Sequence, residues 1–466
     1  MRRGLSQGLG GWLPRNRALI AHFYSALRAL PDVEPADWPA SVTALAEVVS
    51  ATPGLTLLAN AMFVEANRKH DGDDPLNVPG PRSWDEFLAA LVKILTTAPM
   101  FYTSGDDGQA AGLIGFPINA LLDWPMATRP GYDLFSNQLF NQKMRGVLQD
   151  WSVFLASSDS AYVLDPSFRE GSPAAIGWLS DCALEQINQV ALSPTNVDSA
   201  PYKALQRMHG ELTPTQLFQR LFDVPDPADP LMGFSYWDAF FTRLYNDSMR
   251  PVGDTDIVSA CESAPLQYVT GVKLNDTFWA KGQPYSLSDM LNEDPRAAQF
   301  EGGSVYQAFL SALSYHRWNS PVDGTIVDAS VVPGTYYLEN AHVGFLAAPG
   351  DQDGSAPNFS QPFLSSVATR AVIFIQADND DIGLMAMVPI GMAEVSSCEV
   401  TVRPGDRVSK GDQVGMFHFG GSTHCLVFRP GVALQFAIDN PPSDQPDYDA
   451  TNVGVKGALA NVVKSG

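Results

Sequence analysis

Near residue 250 the chain changes the kind of hydrophobic pattern it carries, and that change constrains its fold more than any other feature. Before it, apolar residues recur at helical spacing. Over Trp84 to Leu95, residues Phe87, Leu91, Ile94 and Leu95 share one face. Ser83, with Glu86 three positions on, predicts a capping box at the start of that helix. Gln138 to Leu155 and Pro214 to Phe222 carry similar patterns. After the change the segments are short, β-branched and punctuated by Gly and Pro. Gly324–Val327, Ala371–Ile375 and Cys398–Val402 predict strands. Helices first and strands second predict the α+β class. The expected division is a helical N-terminal domain over 1–230 and a β-rich domain over 231–466, joined through the DVPDPADP run at Asp223–Pro230.

Within the second part, Val402, Val408 and Val414 recur at a fixed step, and Gly405 and Gly411 recur at the same step. That step suits a short strand plus a tight turn with glycine at the turn. The pattern resembles the barrel-sandwich hairpins of lipoyl and biotinyl carriers. No lysine stands at a hairpin tip flanked as a carrier requires, so lipoyl-like hairpins without a carried group are expected.

The net charge of −22 over 466 residues disfavours nucleic acid and anionic membrane surfaces as partners. The N-terminus has no continuous apolar core of the kind a signal peptide needs. The longest uncharged apolar stretch, Ile382 to Ala393, contains Gly383 and Pro389 and is well under the roughly 18 residues of a membrane span. A soluble, cytoplasmic protein with no stable membrane insertion is expected. Cys182, Cys261, Cys398 and Cys425 show no CxxC spacing, and the chain has no HExxH or P-loop. Neither a metal nor a nucleotide is therefore expected.

The chemically suggestive segment is Gly420-Gly421-Ser422-Thr423-His424, which follows the strand-like Gly415–Phe419. A serine hydroxyl can attack the preceding carbonyl carbon, and glycine there has no Cβ to obstruct it. The amide becomes an ester. Elimination then cleaves the chain and leaves dehydroalanine, which hydrolyses to a pyruvoyl group. That ketone forms a Schiff base with a substrate amine and acts as an electron sink for decarboxylation, with no PLP. Taken alone, Gly-Gly-Ser is a loop signal. Gly302-Gly303-Ser304 is the same tripeptide, and there it precedes Val305–Leu313, which reads as a helix with Ser304 near its start.

Further motifs place Gly421-Ser422 in a context. Phe240-Phe241-Thr242-Arg243 with Arg250-Pro251, Lys281-Gly282 with Tyr285-Ser286-Leu287, Tyr315-His316-Arg317 with Ser320-Pro321, Val332-Pro333-Gly334 and Gly421-Ser422-Thr423 stand in one order. In this order they resemble the motifs of the phosphatidylserine decarboxylase family over roughly 235–430. Gly420 replaces the leucine of that family's processing site. The segments Ser314–Pro321, Ile375–Leu384, Gly391–Glu399 and Gly415–Ser422 are similar to a fungal tryptophan decarboxylase branch of the family, whose N-terminal extension the helical first part also resembles.

The resemblance implies a self-cleaving, pyruvoyl-dependent decarboxylase. Cleavage falls between Gly421 and Ser422, Ser422 is the pyruvoyl precursor, and the two fragments stay associated. His316 corresponds to a histidine implicated in decarboxylation, and Glu262 stands at the position of the processing aspartate. Asn319 replaces the second family histidine, and an amide cannot accept a proton at neutral pH. The base for Ser422 is left among His316, His418, His424 and Glu262, and an unprocessed, non-catalytic relative is an alternative. Period-2 alternation places His424 on the face of Ser422, and His418 on the face of Met416 and Gly420. His418 reads more readily as a packed or half-exposed histidine than as a catalytic one. Glu394, Glu399, Asp378, Asp380 and Asp381 read as solvated charges. The acidic chain favours a free amino acid over phosphatidylserine, and the resemblance implies an aromatic one, tryptophan first. Phe278, Trp279, Tyr336 and Tyr337 are candidate pocket residues. Oligomeric state is not legible.

Overall fold

The computed structural model describes residues 17–73, 80–103, 110–113, 117–171, 175–276, 285–340, 357–394 and 397–463. They form two compact units that interleave along the chain. One takes the described residues of Met1–Ala183, Ala228–Ala239 and Gly334–Leu364; the other takes Leu184–Pro227, Phe240–Pro333 and Ser365–Gly466. A linear cut at 230/231 therefore divides the sequence but not the contacts. The helical segment Leu184–Pro227 groups with the β-rich unit.

The first unit is mainly helical: α1 (Arg17–Ala29), α2 (Ala40–Ala51), α3 (Pro53–Asp73), α4 (Trp84–Ile94), α5 (Pro117–Met126), α6 (Arg129–Phe135) and α7 (Gln138–Leu155). The periodic face of α4 is the buried one, with Phe87, Leu91, Ile94 and Leu95 all in the core. Half of the expected capping box forms. Ser83 Oγ accepts the Glu86 N–H at 3.2 Å, but the Glu86 carboxylate reaches back to the N–H of Arg82 rather than of Ser83. A small antiparallel sheet places Phe101–Thr103 between Ala110–Leu113 and Ala175–Ile176, and Arg169–Glu170 pairs on the far side of Ala175–Ile176.

The second unit is built on strands β1 (Ala264–Thr270), β2 (Ser304–Leu310), β3 (Arg317–Asn319), β4 (Gly324–Val332), β5 (Arg370–Ala377), β6 (Leu384–Gly391), β7 (Cys398–Val400), β8 (Arg407–Val408), β9 (Gln413–Phe417) and β10 (Ser422–Phe428). Seven of them form one antiparallel sheet in the order β8-β4-β5-β6-β10-β2-β1, and β3-β9-β7 form another. Strands β5, β6 and β10 are mostly apolar runs with almost every residue buried, as central strands covered on both faces must be. Their inward face, with Ile373, Ile375, Met385, Met387, Leu426 and Phe428, forms the core together with Tyr306, Trp318 and Phe417. Each such apolar side chain contributes roughly 1.5–3 kcal/mol by leaving water. The six-residue step is resolved as expected: Gly405 (φ 93°) and Gly411 (φ 86°) turn the chain between β7, β8 and β9.

Two expectations are corrected. Val305–Leu313 is not a helix; Ser304–Leu310 is strand β2, buried between β10 and β1. A short continuous apolar run has no decisive period, and the two flanking strands decide it. Glu394 is not solvated but only 3% exposed, because it lies where β6 turns inward through Met392 and Ala393 (φ 54°). Asp378, Asp380, Asp381 and Glu399 are exposed as expected.

Candidate active site

The turn from β9 to β10 carries the Gly-Gly-Ser segment. Gly420 has φ 128°, a conformation open to glycine and closed to leucine, which accounts for glycine at this position. Ser422 opens β10 and is paired on both sides, opposite Gly391 of β6 and Leu310 of β2. Its side chain is fully buried, and its Oγ has no hydrogen-bond partner among the described residues. An unsatisfied buried hydroxyl costs about 1–3 kcal/mol, so it marks a position retained for something other than stability. The carbonyl oxygen of Gly421 accepts the backbone N–H of Met392 at 3.3 Å. A free hydroxyl thus follows a carbonyl that is polarised from its oxygen side, as acyl transfer requires.

Two histidines of the same unit, His316 and His424, are fully buried, and neither hydrogen-bonds the Ser422 hydroxyl. His316 Nδ1 lies 2.9 Å from the Ser314 carbonyl oxygen, which can only accept, so Nδ1 carries the proton. Nε2 has no hydrogen-bond partner among the described residues, and the Gly420 backbone beside the ring favours its protonated form. Phe241 packs on the imidazole, with ring centroids 4.4 Å apart, and meets Phe419 edge-on at 5.3 Å. His424 shares the face of Ser422 on β10 and is fully buried with neither ring nitrogen bonded. Burial pushes both imidazoles down to about 3, and Arg243 adds to the depression at His316. Both are therefore neutral proton acceptors at physiological pH. His418 is elsewhere: it is part-exposed and bonds Glu399 through Nε2 at 2.8 Å.

Glu262 is fully buried but committed. Arg250 donates to both of its oxygens, at 2.5 Å and 2.9 Å, and the N–H of Val455 and the hydroxyl of Tyr245 complete its shell. The carboxylate reaches Ser422 by no hydrogen bond. Asn319 donates from Nδ2 to the Gly411 carbonyl at 2.7 Å, leaving Oδ1 without a partner among the described residues. It fills a structural position beside the β9 turn.

The remaining candidates disperse. Phe278, Trp279, Lys281 and Gly282 lie outside the described residues, as do His342 and the side chain of His70. Tyr336 and Tyr337 are buried in the first unit. His209 bonds Glu185, and His22 packs edge-on to Tyr102. Among the described residues no group of three or more His, Cys, Asp or Glu side chains is placed to hold a metal ion, and no single helix is long and apolar enough to cross a membrane. The Met392 N–H and Phe241 were missed by sequence reading. A backbone donor carries no sequence signal, whereas Phe241 stood within a motif already noted.

Residues 237–445 match the phosphatidylserine decarboxylase family profile, and residues 39–187 match a second profile for phosphatidylserine decarboxylase. The decarboxylase iboD of Amanita muscaria is 42% identical over 335 residues, covering 70% of this chain and 87% of its own length. The chain belongs to the phosphatidylserine decarboxylase family. It is thus a decarboxylase, a carboxy-lyase. The L-tryptophan decarboxylase of Psilocybe cubensis is 35% identical over 357 residues, 75% of this chain and 73% of that one. The phosphatidylserine decarboxylase proenzyme 3 of Schizosaccharomyces pombe is more distant, 29% identical over 221 residues, 46% of this chain and 21% of that one. The family match includes both Gly421-Ser422 and the His316 motif.

Proposed function

We propose that this decarboxylase acts on a free aromatic amino acid, tryptophan first, by means of a pyruvoyl group made from Ser422 when the Gly421–Ser422 bond is cleaved. The observation that carries the proposal is the pairing of an unpartnered, buried Ser422 Oγ with a Gly421 carbonyl held by the Met392 N–H. The Ser422 oxygen attacks the Gly421 carbonyl carbon, and negative charge develops on the oxygen facing Met392. The serine proton passes to His316 Nε2, whose tautomer is locked by Ser314, with His424 as second acceptor. The C–N bond breaks as the ester forms. Removal of the Ser422 α-proton then expels the Gly421 carboxylate and leaves dehydroalanine, and hydrolysis with loss of ammonia yields the ketone. These residues fit the group: glycine precedes the serine, and the new terminus is enclosed. Joined to a substrate amine, the pyruvoyl carbonyl supplies an electron sink for the charge left by loss of CO2.

The substrate class rests on similarity to tryptophan decarboxylases and on a net charge of −22, which is ill suited to an anionic lipid surface. Cytoplasmic action on a soluble substrate follows. The small fragment stays with the large one because β10 is paired along its length to both β6 and β2. The hairpins around Gly405 and Gly411 are read as one half of a lipoyl-like barrel-sandwich. Asn319 favours a second reading, an uncleaved relative without activity.

Denaturing electrophoresis with intact-mass measurement separates the two readings. Fragments 1–421 and 422–466, the smaller reactive toward hydroxylamine, are expected. A single stable chain of 50.3 kDa overturns the proposal. CO2 release from tryptophan, tyrosine, phenylalanine and phosphatidylserine ranks the substrates, and release from phosphatidylserine alone overturns the amino-acid assignment.

A further inference from the structure

The helical unit contains a cleft that the decarboxylation site does not use. It has a volume of about 200 Å³ and is walled by Phe23, Leu27, Ile94, Tyr102 and Tyr162, with Glu170 as the one charged group on its described lining. A cavity of about 150 Å³ with apolar walls takes a benzene ring, so this one has room for a single or fused aromatic ring. Its polar groups are mostly committed. The Tyr162 hydroxyl accepts the Ala98 N–H at 3.1 Å, and Thr97 Oγ1 donates to the Lys93 carbonyl at 2.9 Å. Tyr102 and Tyr162 are held protonated by burial, with Glu170 raising them further, so neither competes for charge.

Glu170 is exposed and stands at the solvent side of this lining. That is the low-cost arrangement for binding a cation. An ammonium at the rim keeps most of its hydration while the apolar body enters the cleft. Arg169 does not cancel the carboxylate, because alternation along the two-residue strand turns it to the opposite side, where its field reaches Cys182.

We infer that this cleft is a second binding site, for an arylalkylamine whose ring lies among Phe23, Tyr102 and Tyr162 and whose ammonium faces Glu170. An aromatic amino acid carries the same ring and ammonium but adds a carboxylate, which Glu170 repels. Decarboxylation removes that carboxylate, so the cleft distinguishes product from substrate. The choice of an indole amine rests on the decarboxylase reading above; the class, an aromatic amine, rests on the cleft alone.

The test uses the full chain carrying Ser422→Ala, which has no amine-reactive carbonyl and no turnover. Calorimetric titration with tryptamine is expected to show one saturable site. Tryptophan is expected to bind at least about fivefold more weakly, and Glu170→Gln to weaken tryptamine by about fivefold, the scale of an exposed charge pair. Ala26→Trp, on the cleft-lining face of α1, is expected to abolish tryptamine binding. The inference is overturned if tryptamine shows no saturable binding, if tryptophan binds equally well, or if Ala26→Trp leaves the affinity unchanged. Decarboxylation is read separately, as CO2 release by the unsubstituted chain, so failure of one reading leaves the other standing.

Discussion

Arg250 holds the Glu262 carboxylate with two hydrogen bonds, and neither side chain is more than 1% exposed. The guanidinium also stacks over Tyr245, 4.1 Å from the ring centroid, and donates to the Ala191 carbonyl. Glu262 therefore joins β1's approach to the helical segment within the same unit. Removing one partner of a buried pair leaves the other charge stranded, at a cost of about 3–5 kcal/mol. Glu262→Ala and Arg250→Ala are expected to lower stability in chemical denaturation by similar amounts, with cleavage failing only as folding fails. Lost cleavage in a Glu262→Gln chain of unchanged stability would instead make Glu262 the base.

The Met392 N–H is expected to act on the rate of cleavage. Loss of one oxyanion donor costs about 10²–10³ in rate. Met392→Pro deletes that donor, and time courses of fragment appearance should slow on that scale. Ala393→Gly relieves a left-handed residue at φ 54° and is expected to stabilise the chain by about 1 kcal/mol. It should also slow cleavage by loosening the donor. Unchanged cleavage kinetics in both variants would remove Met392 from the site.

His316 and His424 make a prediction about pH. Their pKa values are pushed from 6.5 down to about 3, so both are neutral in the folded chain while the unfolded chain takes up protons below 6.5. Stability should fall as pH drops from 6.5 toward 5, by up to about 1.4 kcal/mol per pH unit for each histidine. It should be insensitive to these groups above 6.5. Cleavage rates should show no inflection between pH 5.5 and 8. His316→Gln is expected to slow cleavage more than His424→Gln, because His316 Nδ1 is engaged by the Ser314 carbonyl at 2.9 Å and its ring is packed by Phe241. The reverse order would reassign the base to His424.

Gly420 is expected to tolerate no side chain. Gly420→Ala forces a Cβ into φ 128°, at about 1–3 kcal/mol. Differential scanning calorimetry should register the loss, and slower cleavage should accompany it as the Gly421 carbonyl leaves the Met392 N–H. Gly405→Ala strains a turn in the same way at φ 93° but lies outside the site, so it should destabilise the chain without a specific effect on cleavage.

Much of this was legible from the residues alone. α4 and α7 follow from periodicity, the turns at Gly405 and Gly411 follow from spacing, and Ser422 stood out because glycine precedes it and family motifs surround it. Val305–Leu313 was not legible: a run buried on both faces has no polar side from which to read a period. The burial of Glu394 was hidden for a related reason, since a carboxylate on a turn looks the same in sequence whether the turn faces water or the core.

The sequence by itself determined the α+β class, the family and the serine on which the chemistry turns, because helix period, turn glycines and motif order are local properties. Tertiary structure alone decided what each acid and base is free to do. It bound Glu262 to Arg250, engaged Asn319 with Gly411, sent His418 to a part-exposed pair with Glu399, and left Ser422, His316 and His424 buried with unmet hydrogen-bonding capacity. It also supplied the Met392 N–H, which belongs to the backbone. Availability for chemistry depends on which distant partner arrives and on how much water is excluded, and neither is written in the spacing of residues along the chain.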